Sequence, residues 1–116
     1  PVVQALLQGG ADVDKAADSG ATALFVASQN GHLPVVRALL QAVADVNKAQ
    51  NDGCTPLYIA SHDGHVLVVQ ALLQGGADVD KAEKDGCTPL YIASQMCHTD
   101  IVRLLENVAQ QAPSAP

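Results

Sequence analysis

Ten residues, Asp52-Gly53-Cys54-Thr55-Pro56-Leu57-Tyr58-Ile59-Ala60-Ser61, return unchanged as Asp85–Ser94, and a looser copy runs from Ser19 to Ser28. Gly20, Gly53 and Gly86 set the spacing at 33 residues. The segment Val3–Ala16 likewise reappears letter for letter as Val69–Ala82. A fixed period of this length marks a stacked-repeat architecture, in which each unit is too small to bury its own apolar face and needs neighbours to do so. The period therefore constrains the fold more tightly than any single motif.

Composition narrows what such a stack can do. The chain has 116 residues, 48% of them hydrophobic, with no Trp, one Phe (Phe25) and two Tyr (Tyr58, Tyr91), so the core is aliphatic. Its formal net charge of −6 argues against nucleic acid, whose binders carry a basic stripe to neutralise phosphates. It argues equally against an anionic membrane surface. The apolar runs are far shorter than the roughly 18 residues of a membrane helix. No basic start followed by an apolar run marks a signal peptide. The chain begins without Met and inside a repeat, which predicts a piece of a longer protein. Cys54 and Cys87 lie one period apart. Stacked helices sit roughly 8–10 Å from each other, beyond the roughly 7 Å reach of a disulfide. Three free thiols, with Cys97, fit a reducing intracellular compartment, the cytoplasm being the expected location.

Taken in order, residues 1–16 hold the second half of a repeat, with helical apolar spacing at Val2, Val3, Leu6 and Leu7 and a Gly9-Gly10 stop. A full repeat covers 17–49: Thr22 caps a short helix Ala23–Gln29, Asn30-Gly31-His32 turns, and a second helix carries Pro34 in its first turn and ends near Gln41. There Ala42-Val43 replaces the Gly-Gly pair, and a positive φ at Val43 would cost about 1 kcal/mol. The next repeat, 50–82, has Thr55 as cap, Pro56 at the first helical position, Leu57, Ile59 and Ala60 as its buried side, and a second helix Val66–Gln74 stopped by Gly75-Gly76. The last, 83–112, has Cys97 in place of the turn glycine and Thr99-Asp100 as a capping pair. It also has Glu106 where Leu40 and Leu73 stand earlier. With Asn107, Gln110 and Gln111 this reads as the polar outer face of a capping repeat, and 113–116 as a flexible tail.

The pattern Asp-Gly-x-Thr-Pro-Leu-x-x-Ala, then Gly-His, Val-Val-x-x-Leu-Leu and Gly-Ala-Asp-Val, resembles the ankyrin repeat over nearly the whole chain. Two positions depart from it: Phe25, Tyr58 and Tyr91 stand where the family has His, and Val43 replaces a Gly. The resemblance implies an all-α solenoid of helix-turn-helix units with short β-hairpin-like tips. The expected core rows are Leu24/Leu57/Leu90, Ala27/Ala60/Ala93 and Leu39/Leu72/Leu105. The exposed N-terminal end is a further possible contact surface.

The repeating histidines, His32, His65 and His98, suggest a metal ladder, but neighbours a helix diameter apart cannot share an ion whose ligands lie at about 2.0–2.3 Å. Each imidazole is instead expected to bond locally near its turn. Candidate acids, bases and thiols recur by translation and do not converge on a pocket, so catalysis, a cofactor and a metal are not expected. Gly9-Gly10 and Gly75-Gly76 follow helices and cannot cradle phosphate as a strand-to-helix glycine loop does.

Residues that differ between copies cluster at the tips and at the ends of the first helices. The resemblance makes these the concave binding face: Asp18, Ser19, Asn51, Asp52, Lys84 and Asp85 at the tips, and Gln29, Asn30, His62, Asp63, Gln95 and Met96 at the helix ends. The expected function is non-catalytic protein–protein interaction, with a neutral or basic partner favoured by the acidic tips. Two alternatives stand beside it. One is a structural spacer of a longer array, self-associating through its N-terminal end. The other is a substrate role, since an Asn in the family's Ala-Asp-Val-Asn segment can be hydroxylated and Asn47 holds that position.

Overall fold

The computed structural model describes residues 12–111, with side chains through 108. Residues 1–11 of the predicted half repeat, with its Val2, Val3, Leu6 and Leu7 face, and the tail at 113–116 lie outside these residues, as do the side chains of Gln110 and Gln111. Among the described residues six helices follow in order: α1 (Ala23–Gln29), α2 (Leu33–Gln41), α3 (Pro56–Asp63), α4 (Val66–Gln74), α5 (Pro89–Gln95) and α6 (Thr99–Gln111). No strand occurs among the described residues, so the fold is all-helical.

Each first helix starts the same way. Thr22, Thr55 and Thr88 are extended and accept a hydrogen bond from the N–H of Phe25, Tyr58 and Tyr91 at 3.2, 3.1 and 3.1 Å, satisfying a donor that the helix leaves open. Pro56 and Pro89 follow directly, where a missing N–H does no harm. The helices end in paired reverse bonds. His32, His65 and His98 donate their N–H to Ala27, Ala60 and Ala93 carbonyls at 2.9, 3.0 and 2.9 Å. This closure needs a left-handed residue, supplied by Gly31, Gly64 and Cys97 at φ 71°, 82° and 60°. Second helices close alike: Ala44 donates to Leu39 and Ala77 to Leu72 at 3.1 and 3.0 Å. Gly76 takes φ 89° and Val43 φ 62°, so the strained valine expected from its lost glycine is observed. Thr99 and Asp100 differ from expectation: both lie within α6 as its first two residues.

The first helices stack as a row, α1 on α3 on α5, and the second helices form a parallel row that is less closely joined. The first-helix side, the more closely joined of the two, is termed the inner face. Between the rows lies one aliphatic core, with Leu24, Leu39, Leu57, Leu72 and Leu105 buried and Ala27, Ala60 and Ala93 filling the contacts that need a small side chain. Leu90 is only half-buried because no described helix packs beyond α5. Ile59 corrects the expected buried side of α3: it is half-exposed, and Ser61 is buried in the same helix.

Candidate functional site

The tips are built from backbone bonds that run between repeats. Within a tip, Gln50 N–H donates to the Cys54 carbonyl at 3.0 Å and Gly53 N–H to Gln50 at 2.9 Å, and the same pair recurs at Glu83–Cys87 and Ala17–Ala21. Between tips, Asn51 N–H donates to the Ser19 carbonyl at 2.8 Å and Lys84 N–H to the Asp52 carbonyl at 3.1 Å. The tips are therefore tied into a row before any partner arrives, and little ordering cost remains for binding.

Side chains in this row divide into those that hold the scaffold and those left open. Asn51 Nδ2 donates to the Asp18 carbonyl at 2.8 Å. Asp52 accepts from Cys54 N–H and from Gln50 Nε2, both at 3.0 Å. The bond from Cys54 N–H is the main reason its carboxyl titrates below the usual carboxylate range. Ser19 Oγ accepts from Ala21 N–H at 3.3 Å. The third tip carries the same Asp-Gly-Cys string with different bonding. Glu83 Oε1 accepts from both Asp85 N–H and Cys87 N–H, at 2.8 and 2.9 Å, so the Asp85 carboxylate is released from the role that Asp52 performs. The side chains of Asp18, Lys84 and Asp85 are exposed and make no hydrogen bond among the described residues.

At the far end of the first helices, Gln29, Asn30, Asp63, Gln95 and Met96 are exposed and His62 is half-buried. His62 Nδ1 lies 2.6 Å from Asp63 Oδ1. The carbonyls of this row carry a second tie. His65 Nε2 sits 2.9 Å from the Gln29 carbonyl and His98 Nε2 3.0 Å from the His62 carbonyl. A carbonyl only accepts, so each Nε2 carries the proton. These imidazoles thus bond across the repeat interface to residues 36 positions earlier, not locally as the sequence suggested. Among the described residues no three His, Cys, Asp or Glu side chains gather as a metal would require.

Between the two margins runs a row that the sequence reading did not select. In α1 the buried set is Leu24, Phe25, Ala27 and Ser28, which leaves Ala23, Val26 and Asn30 on one open stripe. Val26 is 44% exposed, and its counterparts Ile59 and Ile92 are half-buried. Each is four residues before the helix-end position, so Val26/Asn30, Ile59/Asp63 and Ile92/Met96 share a helix face. Their signal was present as a third apolar position per first helix, out of phase with the Leu24/Ala27 core spacing.

Two grooves lie along the inter-helix turns, one period apart. One, of about 310 Å³, is lined by Gly31, Leu33, His65, Val66 and Leu67, among others. The next, of about 290 Å³, holds Gly64, Val66, Cys97, His98 and Asp100. Thiol, imidazole and carboxylate there are the residue types of a nucleophilic set. However, His98 Nε2 is committed to the His62 carbonyl, and no hydrogen bond joins His98 to Cys97 or Asp100 among the described residues. Cys54 is buried, and burial first and Asp52 second push its thiol up to about 12, which keeps it protonated and unreactive.

No helix among the described residues is long and apolar enough to cross a membrane. A family model described as ankyrin repeats (3 copies) matches residues 1–50 and 42–112. No curated protein matches the chain. Ankyrin repeats serve generally as protein–protein interaction modules and are typically non-catalytic. Its period, its glycine-closed helix pairs, its interlocked tips and this match together make the chain a member of the ankyrin repeat family.

Proposed function

We propose that the chain is a non-catalytic protein-interaction module that receives its partner on the inner face, across the tips and the open stripe of α1, α3 and α5. One observation carries this reading. The inner face is the surface where open charged side chains, half-exposed aliphatic side chains and a pre-tied backbone occur together. Within the predicted set, Asp18, Lys84, Asp85, Gln29, Asn30, Gln95 and Met96 are the recognition residues. Asn51 and Asp52 act by holding the tips. Met96, 45% exposed, is the adaptable apolar contact, since an unbranched thioether fits irregular surfaces.

The experiment is photo-crosslinking from single positions. A photoreactive side chain at Asn30 or Met96 should capture a reproducible partner, and the same group at Gln70, exposed on α4, should not. Equal capture from Gln70 would place the site elsewhere.

A further inference from the structure

The proposed inner face carries enough pattern to name the kind of segment it takes; this step rests on the interaction reading above. Three parallel rows cross the first helices. The tip margin presents the carboxylates of Asp18, Asp52 and Asp85 and the ammonium of Lys84, with Lys15, Lys48 and Lys81 exposed just before the tips. The opposite margin presents Asn30, Asp63 and Met96. Between them lies the aliphatic row Val26, Ile59 and Ile92. An apolar line with an acidic edge at the tips is complementary to an apolar ridge with a cationic flank.

Spacing selects the secondary structure of that ridge. The aliphatic row repeats once per first helix, about 8–10 Å for packed helices. Same-face residues of a strand recur every second residue, at about 6.6 or 13 Å, and fall out of step with it. Residues i and i+7 of an α-helix lie about 10.5 Å apart on nearly the same face, within an ångström or two of the row.

We propose that the partner is a basic amphipathic helix. It lies across α1, α3 and α5 with apolar side chains two turns apart on Val26, Ile59 and Ile92, and with Lys or Arg along its flank facing the tips. Lys84 sets the register. A partner cation is repelled beside it and drawn to Asp18 at one end and Asp85 beyond it at the other. Glu83 is a positioning residue in this scheme, because by accepting from the Asp85 and Cys87 amides it leaves the Asp85 carboxylate open to solvent.

The test is selection of a displayed library of random 20-residue peptides on the immobilised chain, followed by affinity measurement of the enriched peptides. The expected peptides carry apolar residues at i and i+7 with flanking Lys or Arg. They bind more weakly as salt rises and lose about tenfold or more in affinity to the Asp18→Lys/Asp85→Lys double variant. Neither of those carboxylates holds the scaffold, so that variant stays folded. Ile92→Lys, checked by circular dichroism, should abolish binding. Enriched peptides that are acidic, or that lack the helical apolar period, yet are lost with Ile92→Lys, overturn the helix proposal and leave the inner face as the site. Peptides indifferent to all these changes overturn both readings. Failure to enrich any peptide overturns the helix proposal.

Discussion

The imidazole of His65 lies where a side chain on Gly31 would have to go: a Cβ built on Gly31 falls 2.7 Å from His65 Nδ1. The same holds one period later, where a Cβ on Gly64 falls 2.7 Å from His98 Cε1. Gly-His is thus a two-repeat device. The glycine closes its own helix through a positive φ and leaves room for the histidine of the next repeat. That histidine then ties back to the carbonyl at the end of the preceding first helix. Both halves of the device serve stacking, which commits the Nε2 of His65 and His98 to the interface.

The tip glycines allow the stacking contribution to be separated from backbone strain. Gly53 and Gly86 sit in identical strings at φ 86° and 88°. A Cβ on Gly53 would meet Lys84 N at 2.9 Å, whereas one on Gly86 has nothing within 4 Å. Each Ala variant pays about 1–2 kcal/mol for the left-handed backbone, and Gly53→Ala pays a further amount of about 1 kcal/mol or more for pushing the tips apart. Urea unfolding of the two variants should show this difference; equal losses would mean that the tips do not press on one another.

Val43 is the opposite case. It is 83% exposed and holds φ 62° where its counterpart is Gly76. Val43→Gly relieves about 1–2 kcal/mol of strain and returns about 0.5–1 kcal/mol as chain entropy. The variant should therefore be more stable by about 0.5–1 kcal/mol, seen as a higher urea midpoint with an unchanged slope.

Acid should loosen the second tip through Asp52. Its folded carboxyl is held below the unfolded value, chiefly by the Cys54 N–H. The sign follows from linkage: the contribution is present above the unfolded pKa of about 3.9 and is lost as pH falls through the lower folded value. Asp52→Asn keeps an acceptor for Cys54 N–H but removes the charge. The stability gap between wild type and Asp52→Asn should be constant at neutral pH and shrink below about pH 4. A gap that widens in acid would contradict the bonding described.

Thiol labelling should follow exposure. Cys97 is exposed, Cys87 half-buried and Cys54 buried with its thiol pushed up to about 12. Iodoacetamide should modify Cys97 first and Cys54 last, as read by peptide mass spectrometry. Fast labelling of Cys54 in the folded chain would require that the second tip open often.

Much of the scaffold could be read from local chemistry. Thr55 before Pro56 specifies a helix start, Gly75-Gly76 a helix stop, and the recurrence of both at 33 residues specifies stacking, because each depends on neighbours a few positions away in the chain. The Val43 strain was legible for the same reason. The candidate site was legible only as a region. Sequence variability picked out Asn51 and Asp52 together with Asp18 and Asp85, yet the first two are occupied by bonds within and between tips and the others are open.

By itself, then, the sequence determined the repeat, the helix boundaries, the aliphatic core rows and the acidic character of the tips, all of which follow from short-range propensity and the period. Tertiary structure alone decided which of two identical strings leaves its aspartate open, through Glu83 in place of Gln50. It also decided that His65 and His98 serve the interface 36 residues back, and that Val26, Ile59 and Ile92 line the inner face while Leu24 and Leu57 are buried. For Asp85 the physical reason is which side chain captures the two amides of its own tip; for the histidines and the aliphatic row it is the stack. A side chain's role in a stack is set by what the adjacent repeat places against it, and that neighbour lies a full period away along the chain.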